Sequence, residues 1–125
     1  MKGFGNEINH SNRLKNLNAN NFYKKIMSEA VKHHSNGNIS EAKKYYQKLI
    51  KDGFQDAKVF NNYGIILVNY GKFKEAESLF RKSIELNPKD PTAHANLGGI
   101  LKNSGKLEEA ESSICKALEL NPNFV

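Results

Sequence analysis

The sequence predicts an all-α fold built from tandem helical hairpins. Three observations predict it: the chain repeats itself every 34 residues, each repeat carries two apolar stripes at helical spacing, and Gly, Asn and Pro separate the stripes. The period is read from Gly37, Gly71 and Gly105, from Ala42, Ala76 and Ala110, and from Glu41, Glu75 and Glu109. It divides the chain into ungapped units at 23–56, 57–90 and 91–124, the last two identical at about half of their positions.

Each unit reads as two amphipathic helices. In the second unit Phe60, Tyr63, Gly64 and Leu67 form one stripe, and Phe73, Ala76, Phe80, Ser83 and Ile84 form the other. The signals between them place helices at 24–36, 39–52, 57–70, 73–86, 91–104 and 107–120. Asp90 before Pro91 is an N-cap followed by proline at the first helical residue, and Asn38 with Glu41 has capping-box spacing. Asn87-Pro88 and Asn121-Pro122 end second helices, because proline disfavours a helical residue before it. Ala30 with Ala42, Gly64 with Ala76, and Gly98 with Ala110 put small residues where antiparallel helices must approach closely.

Composition narrows the function classes. A single cysteine, Cys115, excludes an intramolecular disulfide, and the longest aliphatic run, residues 65–68, is far too short to cross a bilayer. A cytoplasmic protein without membrane association is the expectation. The net charge of +6 sits in the front of the chain, with +2 over 1–22, +3 over 23–56, +2 over 57–90 and −1 over 91–125. Such a front half can attract nucleic acid, but lysine-rich surfaces more often keep a protein soluble, so nucleic acid is disfavoured as a partner.

No constellation for catalysis is evident, and the expectation is a non-enzyme with no metal and no cofactor. His33 and His34 are neighbours on one helix and point about 100° apart, so they cannot share a metal from one face. His10 and His94 stand elsewhere. Cys115 aligns with Arg81 and Gln47 and should face outward without a base beside it. Gly98-Gly99 lies inside a helical pattern and lacks the Lys-Ser or Lys-Thr of a phosphate loop.

Phe60, Tyr63, Gly64, Leu67, Gly71, Phe73, Ala76, Phe80 and Pro88 stand at the signature spacing of the tetratricopeptide repeat (TPR). So do Leu97, Gly98, Leu101, Gly105, Leu107, Ala110, Ile114, Ala117 and Pro122. Residues 23–124 resemble that family as TPR 1, TPR 2 and TPR 3, the first degenerate because Ala30 replaces Gly and Phe54 stands where Pro belongs. The resemblance implies three stacked helix-turn-helix units in a short right-handed α-solenoid. It also implies a protein-protein interaction scaffold whose first helices line a concave groove for an extended peptide. The groove residues it implies are Met27, Val31 and His34, then Asn61, Asn62, Ile65 and Asn69, then Asn96, Gly99, Lys102 and Asn103.

Asn62 aligns with Asn96 and Asn69 with Asn103, a short carboxamide ladder that resembles the one in O-linked N-acetylglucosamine transferase repeats. A carboxamide both donates and accepts, so a ladder can bond a peptide backbone or merely satisfy its own neighbours. Repeats that clamp acidic chaperone tails use Lys, Arg and Asn here, whereas this chain has Met27, Val31 and Thr92 at the matching places, which disfavours that partner.

Residues 1–22, with seven Asn and three basic residues, read as a disordered basic tail, in which Lys2, Phe4, Arg13 and Lys15 could serve as a binding arm. The Met-Lys-Gly-Phe-Gly start before repeats resembles multi-repeat proteins of marine cyanobacteria whose arrays precede a glycosyltransferase or sulfotransferase. The alternative function is therefore a substrate-recognition array of such a glycosyltransferase or sulfotransferase system, whose catalytic domain is missing from this chain. A third unit without a further helix is expected to expose parts of Ile100, Leu101, Ile114 and Leu118, with Phe124 and Val125 shielding only a little, and so to invite self-association.

Overall fold

The structure, a computed structural model, describes the backbone of residues 3–123 and the side chains of residues 11–123. Lys2, Phe124 and Val125 lie outside the described residues, as do the side chains of Phe4 and His10. The chain is all-α among the described residues, with α1 (Gly3–Ser35), α2 (Ile39–Lys51), α3 (Ala57–Asn69), α4 (Phe73–Leu86), α5 (Pro91–Asn103) and α6 (Leu107–Leu120). Five of the six expected helices match within one residue at each end. No described helix is long and apolar enough to cross a membrane.

The turn glycines explain the period. After α3 the chain passes Tyr70 to Gly71 at φ +75°; the Gly71 N–H donates to the Val68 carbonyl at 2.9 Å and the Lys72 N–H to the Leu67 carbonyl at 2.9 Å. That is a Schellman closure, which needs a left-handed residue that costs least as glycine. Gly37 and Gly105, both at φ 80°, close α1 and α5 with the same pair of bonds.

The chain divides into two compact units, Met1–Tyr45 and Tyr46–Val125. In the first, Ala30 and Ala42 are both fully buried, as small residues at a close crossing require. His33 stacks on Tyr45 with ring centroids 5.5 Å apart and approaches Glu29 at 4.0 Å, so it is occupied by its own neighbours. The first helix is longer than the expected 24–36, since α1 runs from Gly3 to Ser35. No Gly or Pro interrupts residues 6–36, and an Asn-rich stretch lowers helix propensity without breaking the helix. The tail character survives in packing, since every side chain from 11 to 22 is exposed, including Leu14, Leu17 and Phe22.

In the second unit the core is Leu67, Ala76, Phe80, Leu97, Ile100, Leu101 and Ala110, which joins α3 and α4 to α5 and α6. Ile100 and Leu101 are therefore buried, against the expectation that they are left uncovered; α4 and α6 close over them, while Ile114 and Leu118 remain exposed. Gly64 is buried as expected, but what a Cβ there would strike is Phe80 at 2.6 Å.

Caps divide into those that form and one that does not. Asp90 accepts from the Thr92 N–H at 2.9 Å ahead of Pro91, and Asp56 caps α3 by accepting from the Lys58 N–H at 2.8 Å. The capping box expected from Asn38 and Glu41 is absent among the described hydrogen bonds: the Asn38 amide meets His33 at 3.5 Å and Glu41 pairs with Lys44 at 3.1 Å.

Ser83, fully buried on α4, donates to the Ala57 carbonyl at 2.8 Å and pins the end of α4 to the start of α3. Its equivalent one repeat later is Ala117, also buried, so the site tolerates the size of alanine. Ser83→Ala should then cost only the hydrogen bond, about 0.5–1.5 kcal/mol, in urea unfolding. A loss several times larger would mean that the bond is not what holds these helix ends together.

Candidate binding groove

Six of the eleven expected groove residues, Ile65, Asn69, Asn96, Gly99, Lys102 and Asn103, line one cavity of about 350 Å³ between α3 and α5. Val68, Phe80, Ala95 and Ile100 complete it. They meet because α3 and α5 are the first helices of consecutive hairpins, each closed by its own Gly turn, so the same helical face recurs after one period. The floor is apolar, and Asn69, Asn96 and Asn103 carry its hydrogen-bonding groups. Lys102 is its one charged lining residue, and it is exposed.

The carboxamides are arranged otherwise than a strict ladder. The Asn96 side-chain N–H donates to Asn61 Oδ1 at 3.0 Å, and Asn61 is buried beneath it. Burial raises the Tyr46 pKa, and the neighbouring Asn62 side chain partly lowers it again. Beside it the Gln47 amide donates to the Tyr63 hydroxyl at 3.0 Å, tying α2 to α3. Asn69 and Asn103, by contrast, are exposed at the mouth of the cavity. Met27 and His34 are half-buried on α1 in the other unit, and Val31 is exposed there.

The outer surface is tied by charge. Arg81 on α4 bonds Glu109 and approaches Glu77 at 3.4 Å, while Lys106 reaches the same Glu77 at 3.3 Å. The bond to Glu109 is the main cause of a raised Arg81 pKa, with burial opposing it. All four groups are at least partly solvated, so the network links α4 to the start of α6 and adds little stability.

A second hollow, about 380 Å³, gathers His94, Ser112, Ser113 and Cys115. It lacks the arrangement that activates a nucleophile, because His94 Nε2 is held by the Pro88 carbonyl at 2.8 Å and the Cys115 thiol is simply exposed. Among the described residues no group of three or more His, Cys, Asp or Glu could hold a metal ion.

Comparison with solved structures places this geometry. The fold is similar to that of an O-GlcNAc transferase mutant from Thermobaculum terrenum, with a TM-score of 0.75 and 24% identity over 82% of this chain, which spans 20% of the transferase chain. It is similar to the first TPR domain of Spaghetti (RPAP3) bound to an HSP90 peptide, with a TM-score of 0.74 and 25% identity over 82% of this chain and 81% of that one. It is also similar to the type III secretion chaperone SycD of Yersinia enterocolitica in complex with a peptide of the translocator YopD, with a TM-score of 0.73 and 24% identity over 82% and 79% of the two chains. No curated protein matches the chain in sequence. Residues 28–125 match one family throughout, and with its Gly-closed helical hairpins the chain belongs to that family, described as the cilia and flagella-associated protein 70 middle TPR-like domain.

Proposed function

We propose that the face shared by α3 and α5 binds an extended peptide segment of a partner protein, and that the chain is a non-catalytic interaction scaffold. The observation that carries this reading is the cavity of about 350 Å³ with an apolar floor and exposed carboxamides at its mouth. Apolar surface supplies affinity, and groups that both donate and accept can bond a peptide backbone whatever its sequence. The Spaghetti domain and SycD, which share the fold, are bound to peptides of HSP90 and YopD. Those ligands belong to those proteins; Met27, Val31 and Thr92 here favour a partner other than an acidic chaperone tail.

The test uses Asn69 and Asn103, which are exposed, because Asn96 also holds Asn61 and Asn62 is half-buried beside Tyr46. The purified chain is screened against a positional-scanning nonapeptide library and the best peptide is titrated. Replacing Asn69 and Asn103 together by Ala should weaken binding about tenfold, from hydrogen bonds worth about 0.5–1.5 kcal/mol each, with helicity unchanged. Equal affinity of parent and variant would remove the groove from the function.

A further inference from the structure

The glycines of α3 and α5 serve different ends. A Cβ on Gly64 would strike the Phe80 ring at 2.6 Å, and one on Gly98 would strike Ile114 Cγ1 at 2.6 Å, so close packing accounts for glycine at both. Gly99 is different. A Cβ there would meet nothing within 4 Å, and its φ is not positive. Neither space nor backbone conformation calls for glycine, yet mid-helix glycine destabilises by about 1 kcal/mol relative to alanine.

The repeat shows what Gly99 leaves out. The position one period earlier is Ile65, which lines the same cavity and packs against the core. At Gly99 the groove wall therefore lacks an isoleucine side chain, and the gap opens into the cavity beside Val68 and Ile100. Lys102 stands at the rim, and no acidic residue lines the cavity to neutralise it.

We infer that Gly99 keeps open a hollow for one aliphatic side chain of the bound peptide, of Leu, Ile or Met size, and that Lys102 selects an acidic residue next to it. This rests on the peptide-groove reading and adds the motif it would select. Shape accounts for the aliphatic choice, since a guest side chain in the cavity would meet the apolar Ile65, Val68 and Ile100 that line it. Charge accounts for the neighbour, because an acidic residue there meets the one cation lining the cavity.

The experiment pairs stability with selectivity, using the full chain with Gly99→Ala, Gly99→Ile and Lys102→Gln. Gly99→Ala should melt at or above the parent temperature, by roughly 4 °C. A lower melting temperature would mean that the fold needs this glycine and would overturn the inference. In the same nonapeptide library the parent should select Leu, Ile or Met at one position with Asp or Glu beside it. Gly99→Ile should erase the aliphatic preference and weaken the best peptide about 10–200-fold, the range for one filled or blocked aliphatic subsite. Lys102→Gln should erase only the acidic preference. If the Gly99 variants keep the parent's preference while the Asn69 and Asn103 double variant loses binding, the hollow is refuted and the groove stands. If the parent binds no peptide, groove and hollow fall together.

Discussion

Gly64→Leu is expected to lower the unfolding free energy by about 3 kcal/mol, the upper end for overpacking, and to drop Tm on the order of 10 °C. The Cβ alone would stand 2.6 Å from Phe80 Cε1 and 2.9 Å from its Cδ1, and that ring is 1% exposed and part of the core with Leu67, Leu97 and Ile100. The rest of a leucine would have to part α3 from α4, the pair that the buried Ala76 lets approach. Gly98→Ala is milder, because the side chain it strikes, Ile114, is half-exposed and can swing into solvent. Shrinking the obstacle supplies the control: Gly64→Ala combined with Phe80→Leu should lose less than the sum of the two single changes, as contacting residues do. Thermal melts that superimpose Gly64→Leu on the parent would show that these helices do not meet at Gly64.

The period explains why so much of this was legible. A 34-residue shift superposes turn on turn, so Gly37, Gly71 and Gly105 mark the hairpins before any helix propensity is weighed, and the structure gives all three a positive φ. The first unit shows where the pattern misleads. Phe54 stands where the others carry Pro, which reads as degeneration, yet α2 is closed by Gly53 at φ 81° and by the Phe54 N–H bonding the Leu49 carbonyl at 2.9 Å. The second helix of that unit thus stops by a glycine turn, where α4 and α6 stop at Asn87 and Asn121 ahead of proline. The start of α1 was illegible for the opposite reason. Composition speaks to whether a segment can be buried, and residues 11–22 are not buried; it says little about whether an uninterrupted backbone stays helical.

The groove was legible as a face and less so as a set of bonds. The shift of 34 aligns Asn62 with Asn96, but the bond that forms joins Asn96 to Asn61, one residue off that alignment. A superposed repeat assigns equivalent positions within separate helices. Which side chains touch across two helices depends on their crossing, which periodicity does not contain. Asn62 lies beside Tyr46 for a like reason, because Tyr46 comes from α2 and the alignment of first helices does not contain it. Gly99 carried a usable signal all along: it faces Ile65 in the alignment, and a helical glycine opposite an isoleucine marks space that the fold itself does not fill.

Phe80→Ala should be the most damaging truncation in the second unit, at about 3–5 kcal/mol, and its repeat equivalent Ile114→Ala should cost far less, about 1 kcal/mol. Both residues occupy the same position of a second helix, one period apart. Phe80 is 1% exposed because α3 packs on one side and α5 covers the other, whereas Ile114 is 40% exposed. Truncation at Phe80 removes packing in the cluster of Leu67, Leu97 and Ile100 beneath the groove, while a gap at Ile114 opens directly to solvent. Because each repeat contacts only its neighbours, the loss at Phe80 should also uncouple α5 and α6 from α3, broadening the urea transition of that variant alone. Unfolding is best followed at two protein concentrations. A small, concentration-independent cost for Ile114→Ala fits an open face on α6. A cost that approaches that of Phe80→Ala and grows with concentration would show that a second copy covers Ile114 in solution, so that the burial of the single chain no longer predicts its stability.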